Sequence, residues 1–454
     1  MDSSHPLSIH HSRGHISSPV PENISFLKLI KANGYVFIIV YFSYLFSFVF
    51  NLMLAHWLGP VAFGLVSLIF RFFGVLLPLL AFGVDGVLIK QIQIYISEHD
   101  YSKLKGLLQW SGFVFITVSF VYFLWVYLVW IFPSSRVFTW ENFYQEIDIF
   151  LKGSWLPPLL TFMYIQGALL RSLRCYYSSA FFSWASTLLF ASILMVAWHE
   201  YFGVLTTANA FWCTGLAAGI SILIQFFIIV KMLPLESYQA TPSYESKTWF
   251  YLSFFIMLSN TLSTVSALVT MILIDILGSS KEEVARFFVC FIIANVFVML
   301  TQATTMLIAP WISLLQKDSK SNALKWLIDV TNNFKLLTGM CFLLLIALFG
   351  NSILHWFGRA YSDLYQPLMI FSVMNYIAVC FGSSPTLLMF SNLQKLLDKL
   401  RIIQVIILIF IGSIMIYYFD VVGAVIADGV SLIIFELLST WQARKHLNLS
   451  MFGI

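Results

Sequence analysis

Residues 55–95 read AHWLGPVAFGLVSLIFRFFGVLLPLLAFGVDGVLIKQIQIY, an apolar stretch with two charges inside it, Arg71 and Asp85. Residues three or four apart are neighbours on a helix, so Gly64, Ser67, Arg71, Gly74, Pro78, Ala81 and Asp85 share one face. The other faces carry Phe72, Val75, Leu76, Leu79 and Leu80. Such a helix is expected to face lipid on its oily side and a cavity with its small, charged stripe. A charge in the middle of a bilayer costs at least about 2.5–3.5 kcal/mol on insertion scales, which makes a retained one a functional candidate. Arg71 and Asp85 lie about 21 Å apart at 1.5 Å per residue, too far to pair with each other. Asp85 is expected to pair with Lys90 or to bind at the cytoplasmic end.

Other residue types carry the same suggestion. Lys152 falls in the outer half of an apolar segment, as Arg71 does. Two cations there suit a pyrophosphate or an acidic sugar, because both are met by charge-assisted hydrogen bonds. The plainer alternatives are snorkelling of Lys152 to the outer interface and an ion pair between Arg71 and a neighbouring helix. Asp428 and Glu436 lie within the last apolar segment, and Asp275 closes the seventh. Intramembrane acids can relay protons or hold Na⁺, so Asp85, Asp428 and Glu436 are coupling-ion candidates. For Asp275 the alternative is exposure at the interface. Polar stripes add Asn51 with Tyr44 and Ser47, Asn260 with Ser259, Ser263, Thr264, Ser266 and Thr270, and Asn295 with Gln302 and Thr305. The alternative for these is helix–helix glue. Arg71, Lys152, Asn51, Asn260, Asn295 and Gln302 form the candidate substrate-binding set.

No HExxH, GxSxG or Walker loop is present, so no catalytic constellation stands out. The outside connections are short, which favours transport over a glycan-polymerising enzyme.

The elements that position these residues follow from composition. The chain has 454 residues, 60% hydrophobic and 10% charged. Soluble domains carry about 25% charged residues, so this is a polytopic membrane protein. The five cysteines, Cys175, Cys213, Cys290, Cys341 and Cys380, sit in or beside apolar segments without a CxxC pair, and read as inert buried thiols. The basic residues are scattered over short loops, which gives nucleic-acid binding no support. Residues 1–33 are polar, include His5, His10, His11 and His15, and read as a disordered cytoplasmic tail. A metal-binding role is the lesser alternative, and no cleavable signal peptide is expected.

Twelve segments are long enough to span, at about 20 residues each: 34–54, 63–93, 107–131, 147–169, 178–198, 204–231, 248–276, 284–313, 327–349, 365–388, 400–419 and 423–443. The second contains Pro78 and Gly83 and should kink. With the N-terminus inside, nineteen Lys and Arg fall at inner ends, five at outer ends, and Arg71 within a helix, which accounts for all 25. That asymmetry places both termini in the cytoplasm. The chain also repeats: Leu58-Gly59 matches Leu277-Gly278, Pro158-Leu-Leu-Thr-Phe162 matches Pro367-Leu-Met-Ile-Phe371, and Gly219-Ile-Ser-Ile-Leu-Ile224 matches Gly429-Val-Ser-Leu-Ile-Ile434. Ordered matches near half the chain length predict two six-helix lobes of equal orientation. The expected division is a cytoplasmic tail (1–33), an N-terminal lobe (34–231), a cytoplasmic linker (232–247), a C-terminal lobe (248–443) and a cytoplasmic tail (444–454). The fold class expected is therefore an all-α polytopic membrane protein, with about twelve transmembrane helices in two pseudo-symmetric lobes around a central cavity.

A resemblance appears in the run from Trp57 through Leu58-Gly59-Pro60 to Phe63-Gly64, followed by a Gly-interrupted helix that ends Lys90-Gln91-Ile92 and a short Lys-rich loop. It resembles the polysaccharide-export flippases of the multidrug/oligosaccharidyl-lipid/polysaccharide exporter superfamily. Trp356-Phe-Gly-Arg-Ala-Tyr361 and Gly423-Ala-Val-Ile-Ala427 echo the same family, over roughly residues 26–444. The resemblance implies a flippase that moves an undecaprenyl-pyrophosphate-linked oligosaccharide, such as an O-antigen unit, from the inner to the outer leaflet of the bacterial cytoplasmic membrane. It implies alternating access, a cavity bordered by the polar helices, and no cofactor beyond possible coupling to H⁺ or Na⁺. The expected partners are the lipid-linked oligosaccharide, membrane lipids and other polysaccharide-assembly membrane proteins. Beside this reading, and beside a non-transporting membrane scaffold for which the polar cavity stripes would be unnecessary, stand two further rivals. One is an ion-coupled multidrug or small-molecule exporter of the same superfamily, against which the lack of an acid in the first segment counts. The other is a membrane glycan polymerase or ligase, against which the short loops and the repeat count.

Overall fold

The computed structural model describes residues 26–131, 144–317, 321–391 and 393–447, with side chains left undescribed at 26–37, 144, 184, 306–324, 390 and 447. The tail histidines, Arg136 and Lys320 lie outside the described residues, as does most of the C-terminal tail. The described residues are helical, with no strand among them. Lipid forces this, since only a helix satisfies its own backbone inside hydrocarbon.

Twelve spans follow the expected segments. They are α1 (Phe26–Leu58), α2 in two halves (Pro60–Ala81 and Val84–Ser97), α3 (Tyr101–Ile131), α4 in two halves (Tyr144–Gly153 and Leu156–Ser172) and α5 (Tyr176–Ala180, a π turn at Phe181–Ala185, then Ser186–Phe202). Then come α6 (Thr207–Met232), α7 (Ser246–Leu277), α8 (Glu282–Lys317), α9 (Ser321–Phe357) and α10 in two halves (Tyr365–Cys380 and Ser384–Phe390). The run Gln394–Leu447 changes direction at Asp420, which has non-helical backbone, and so supplies α11 (394–419) and α12 (421–447). Among the described residues, eight helices are each long and apolar enough to cross alone, counting that run once. The rest of the twelve are crossings made of broken pieces. Each break has a local cause. In α2 it is Phe82 and Gly83, both left-handed, while Pro78 stays inside the first half. The lower half of α4 starts on Pro157 and Pro158, whose fixed φ suits a first turn.

The lobes meet through α1 and α2 on one side and α7 and α8 on the other. α1 packs on α8, α2 packs on both α7 and α8, and within the C-terminal lobe α7 lies along the α11–α12 run. A repeat that maps α1 onto α7 and α2 onto α8 turns the α1–α8 contact into the α7–α2 contact, so the seam has the symmetry that the sequence matches imply. The Gly64 end of the charged stripe makes one of the close approaches, to α8. A Cβ on Gly64 would come 2.9 Å from the Ala285 nitrogen of α8. Small residues let helix backbones close in lipid, where no hydrophobic force drives association. The polar linker docks on the N-terminal lobe: Lys105 donates to the carbonyls of Tyr238 (2.8 Å) and Ala240 (2.9 Å), and the Ser243 amide donates to the Ser102 carbonyl (3.0 Å).

Candidate functional site

The stripe of α2 meets the other lobe at Gly64, Arg71 and Asp85. Arg71 crosses the seam. The guanidinium carbon stands 4.3 Å from the Phe291 ring centre and 5.5 Å from that of Phe288, both on α8. A desolvated cation over a ring gains about 2 kcal/mol or more. Among the described residues no hydrogen bond or ion pair engages Arg71. Its charged neighbour is Asp428 of α12, with which it interacts electrostatically. Asp428 accepts a hydrogen bond from the Thr270 hydroxyl of α7 at 2.8 Å. One turn along from Arg71, a Cβ on Gly74 would meet nothing within 4 Å. The seam therefore holds a cation on one lobe, an acid on the other, two aromatic faces and open space.

Asp85 joins the lobes at the end of the seam that the Lys and Arg asymmetry assigns to the inner side. It is buried, and its Oδ2 accepts from the Tyr164 hydroxyl of α4 (3.1 Å) and from the Asn260 amide of α7 (3.3 Å). Arg171 is its nearest cationic influence. The expected Lys90 partner is corrected: Lys90 is exposed on the other side of α2, and Asp85 turns inward to α4 and α7. Around it the inner seam is shut. A Cβ on Gly83 would fall 2.0 Å from the Ser253 carbonyl oxygen, the Trp249 indole donates to the Tyr95 hydroxyl (3.0 Å), and Lys103 pairs with Glu245 (2.9 Å).

The outer seam is shut as well. Lys281, in the α7–α8 connection, lies 2.7 Å from Glu146 of α4 and 2.7 Å from Asp275 of α7. Burial by itself would lower the Lys281 ammonium, but hydrogen bonds to Asp275 and Glu146 outweigh it and hold it above its ordinary range. Asp275 is thus buried in an ion pair instead of exposed at the interface, with a side chain only 3% accessible. The Tyr44 hydroxyl of α1 reaches the carbonyls of Ile292 and Ile293 on α8, both at 3.1 Å. Since Lys281 holds two acids on opposite lobes, Lys281→Ala should loosen the outer seam. Labelling of a Ser67→Cys reporter by an impermeant maleimide added outside should then rise several-fold. Unchanged labelling would show that the bridge does not hold the lobes.

The remaining candidates divide. Lys152 does not join Arg71. It sits at the outer rim beside Leu58 and Pro60 and pairs with Asp148 one turn earlier on α4. Snorkelling describes it, since a Lys near a helix end reaches water at little cost. Asn51 is satisfied by the Ser47 carbonyl of its own helix (2.7 Å). Asn295 is half-buried on α8, and the buried Oε1 of Gln302 has no hydrogen-bond partner among the described residues. Glu436 does not face the seam pair; its charged neighbours are Lys335 of α9 and Arg401 of α11.

Two features escape the sequence reading. Phe288 and Phe291 look like lipid-facing aromatics until α8 is set against Arg71. Lys335 counts among the cytoplasmic loop cations in the charge tally, yet it is 1% exposed. Its position carried the signal: it lies eight residues into 327–349, as Arg71 lies eight into 63–93.

No protein-family model and no curated protein sequence matches the chain. Solved structures do. A multidrug resistance MATE family transporter of the MOP superfamily in its inward-facing conformation aligns with a TM-score of 0.72 at 14% identity, over 89% of this chain and 94% of its own. An outward-facing MATE family transporter aligns with a TM-score of 0.68 at 14% identity, over 92% and 96%. A MOP superfamily transporter from Pyrococcus furiosus, described as having a binding pocket of reversed polarity that suggests a different function, aligns with a TM-score of 0.67 at 14% identity, over 92% and 96%. This chain therefore has the fold of the MATE transporters of the MOP superfamily.

Proposed function

We propose that the chain is a secondary exporter, moving an amphiphilic small molecule out of the cytoplasm by alternating access of its two lobes, with an ion gradient as the drive. The observation that carries this reading is the Arg71–Asp428 arrangement in the seam. Each lobe contributes one charge, Thr270 orients the acid, and Gly74 leaves room beside the cation. The first helix has no acid, which counts against a drug exporter on sequence. Asp428 supplies one from the other lobe. A carboxylate that binds either a proton or a cationic cargo couples the two, because it cannot hold both at once. Structural neighbours described as multidrug transporters support the same choice. Cells expressing the chain should accumulate less ethidium than cells expressing Asp428→Asn, and a protonophore should erase the difference. Equal accumulation at matched membrane abundance would reject the exporter.

One observation favours a second reading. An arginine next to open space suits an anionic head group better than a cationic drug. That fits a flippase for lipid-linked oligosaccharide in a bacterial cytoplasmic membrane, working beside other polysaccharide-assembly proteins. Proteoliposomes holding a fluorescent undecaprenyl-pyrophosphate oligosaccharide separate the two. Protein-dependent loss of protection from dithionite, without ethidium export, selects the flippase.

A further inference from the structure

The C-terminal lobe buries a second set of charges, away from the seam. α10 stops at Cys380 and restarts at Ser384. Between them Gly382 has φ +90°, a conformation that L side chains rarely adopt, and its carbonyl leaves the helix. The Lys335 ammonium of α9 donates to that carbonyl at 2.7 Å. Beside it, the Asn332 side-chain oxygen accepts from the Ser383 hydroxyl (3.2 Å), and a Cβ on Gly382 would come 2.8 Å from the Asn332 amide nitrogen. The cradle is therefore closely fitted. From α12, Glu436 acts on it electrostatically, and the buried Oε2 of Glu436 has no hydrogen-bond partner among the described residues. Lys335 and Glu436 interact electrostatically. From α11, Arg401 also acts on Glu436 and is itself offset by Asp398, which accepts from the Ser259 hydroxyl of α7 at 2.8 Å. No other charged group is paired into this set among the described residues.

Carbonyls freed where a helix is broken, at the C-terminal end of a half-helix, are ligands with which transporters of broken-helix design hold a coupling cation. The half-helix end adds the negative pole of its dipole. Here the position is filled from within. We infer that the break in α10 is a monovalent-cation site occupied by the protein's own Lys335, a tethered ammonium that keeps the C-terminal lobe loaded without an external ion. A compact, strongly hydrated point charge on a flexible stem suits that task, whereas a planar guanidinium would not. The inference does not depend on which cargo the seam carries.

The test removes the tether and asks whether a free cation takes its place. Full-length Lys335→Ala, purified in detergent, should melt below the wild type in tetramethylammonium chloride, whose cation is too large for the vacated site. Sodium chloride or ethylammonium chloride at the same ionic strength should raise its midpoint, while the wild type responds to neither. A wild-type midpoint in tetramethylammonium, or no selective response to the small cations, would overturn the proposal. If Lys335→Ala does not accumulate, Lys335→Met with and without Glu436→Gln decides. Removing the orphaned carboxylate should restore the abundance that Lys335→Met loses. No restoration would show that the ammonium is not the counter-ion of that site.

Discussion

Arg71→Ala should abolish export while leaving normal amounts of protein in the membrane. The argument is one of partners. Asp428 keeps its hydrogen bond from Thr270 at 2.8 Å when the guanidinium goes, and a buried carboxyl that loses its cation can take up a proton instead of staying charged. The loss on the protein side is the contact with Phe288 and Phe291, about 2 kcal/mol at most sites of this kind. That is too little to unfold a twelve-helix bundle, but it removes the charge that acts on Asp428 and, for an anionic head group, the cation the seam offers to it. A fall of at least about tenfold in transport corresponds to ~1.4 kcal/mol of binding, well within what one charge-assisted contact supplies. Arg71→Lys should keep part of the activity, because a point charge survives without the fork. A structural ion pair makes the opposite forecast: Arg71→Ala would lose the protein, and adding Asp428→Asn would bring it back. Measuring transport and abundance together for the three variants separates the cases, and normal transport by Arg71→Ala would take Arg71 out of the site.

The second large effect is at Gly83. Its φ of +69° is left-handed, and a Cβ there would lie 2.0 Å from the Ser253 oxygen and 2.8 Å from the Met257 nitrogen. Both atoms are backbone of α7, so they cannot rotate away. Gly83→Ala must therefore strain its own backbone, by roughly 1–2 kcal/mol, and also push α7 off the N-terminal lobe. Asp85 and Asn260, which meet a few residues away at 3.3 Å, should part. Transport should fall to background, and an Asn260→Cys reporter should become labelled from the cytoplasmic side. Gly112→Ala is the control, because a Cβ at Gly112 meets nothing within 4 Å. Wild-type transport by Gly83→Ala would mean that α7 does not close against this break in the working protein.

Gly83 also shows what could be read in advance. A glycine following a proline in a long apolar run marks a kink from sequence, and the break falls there. What the kink is for depends on α7, which lies some 170 residues further along the chain.

The same division runs through the whole molecule. Helicity, the twelve spans, the repeat and the small, charged stripe of α2 come from the sequence by itself, because each rests on local rules. Hydrocarbon demands internally bonded helices of fixed length, and a periodic stripe needs only 3.6 residues per turn. The pairing of charges does not obey a local rule. Asp85 finds Asn260 at a separation of 175 residues, and Asp428 finds Thr270 at 158. Lys152 and Lys335 invert the roles that their surroundings in sequence suggest. The first stands at a helix end where water is close and pairs outside; the second is 1% exposed and meets a carbonyl of α10 and the charge of Glu436. An apolar neighbourhood reports how costly a charge is, but which group compensates it is decided when helices from both halves of the chain come together.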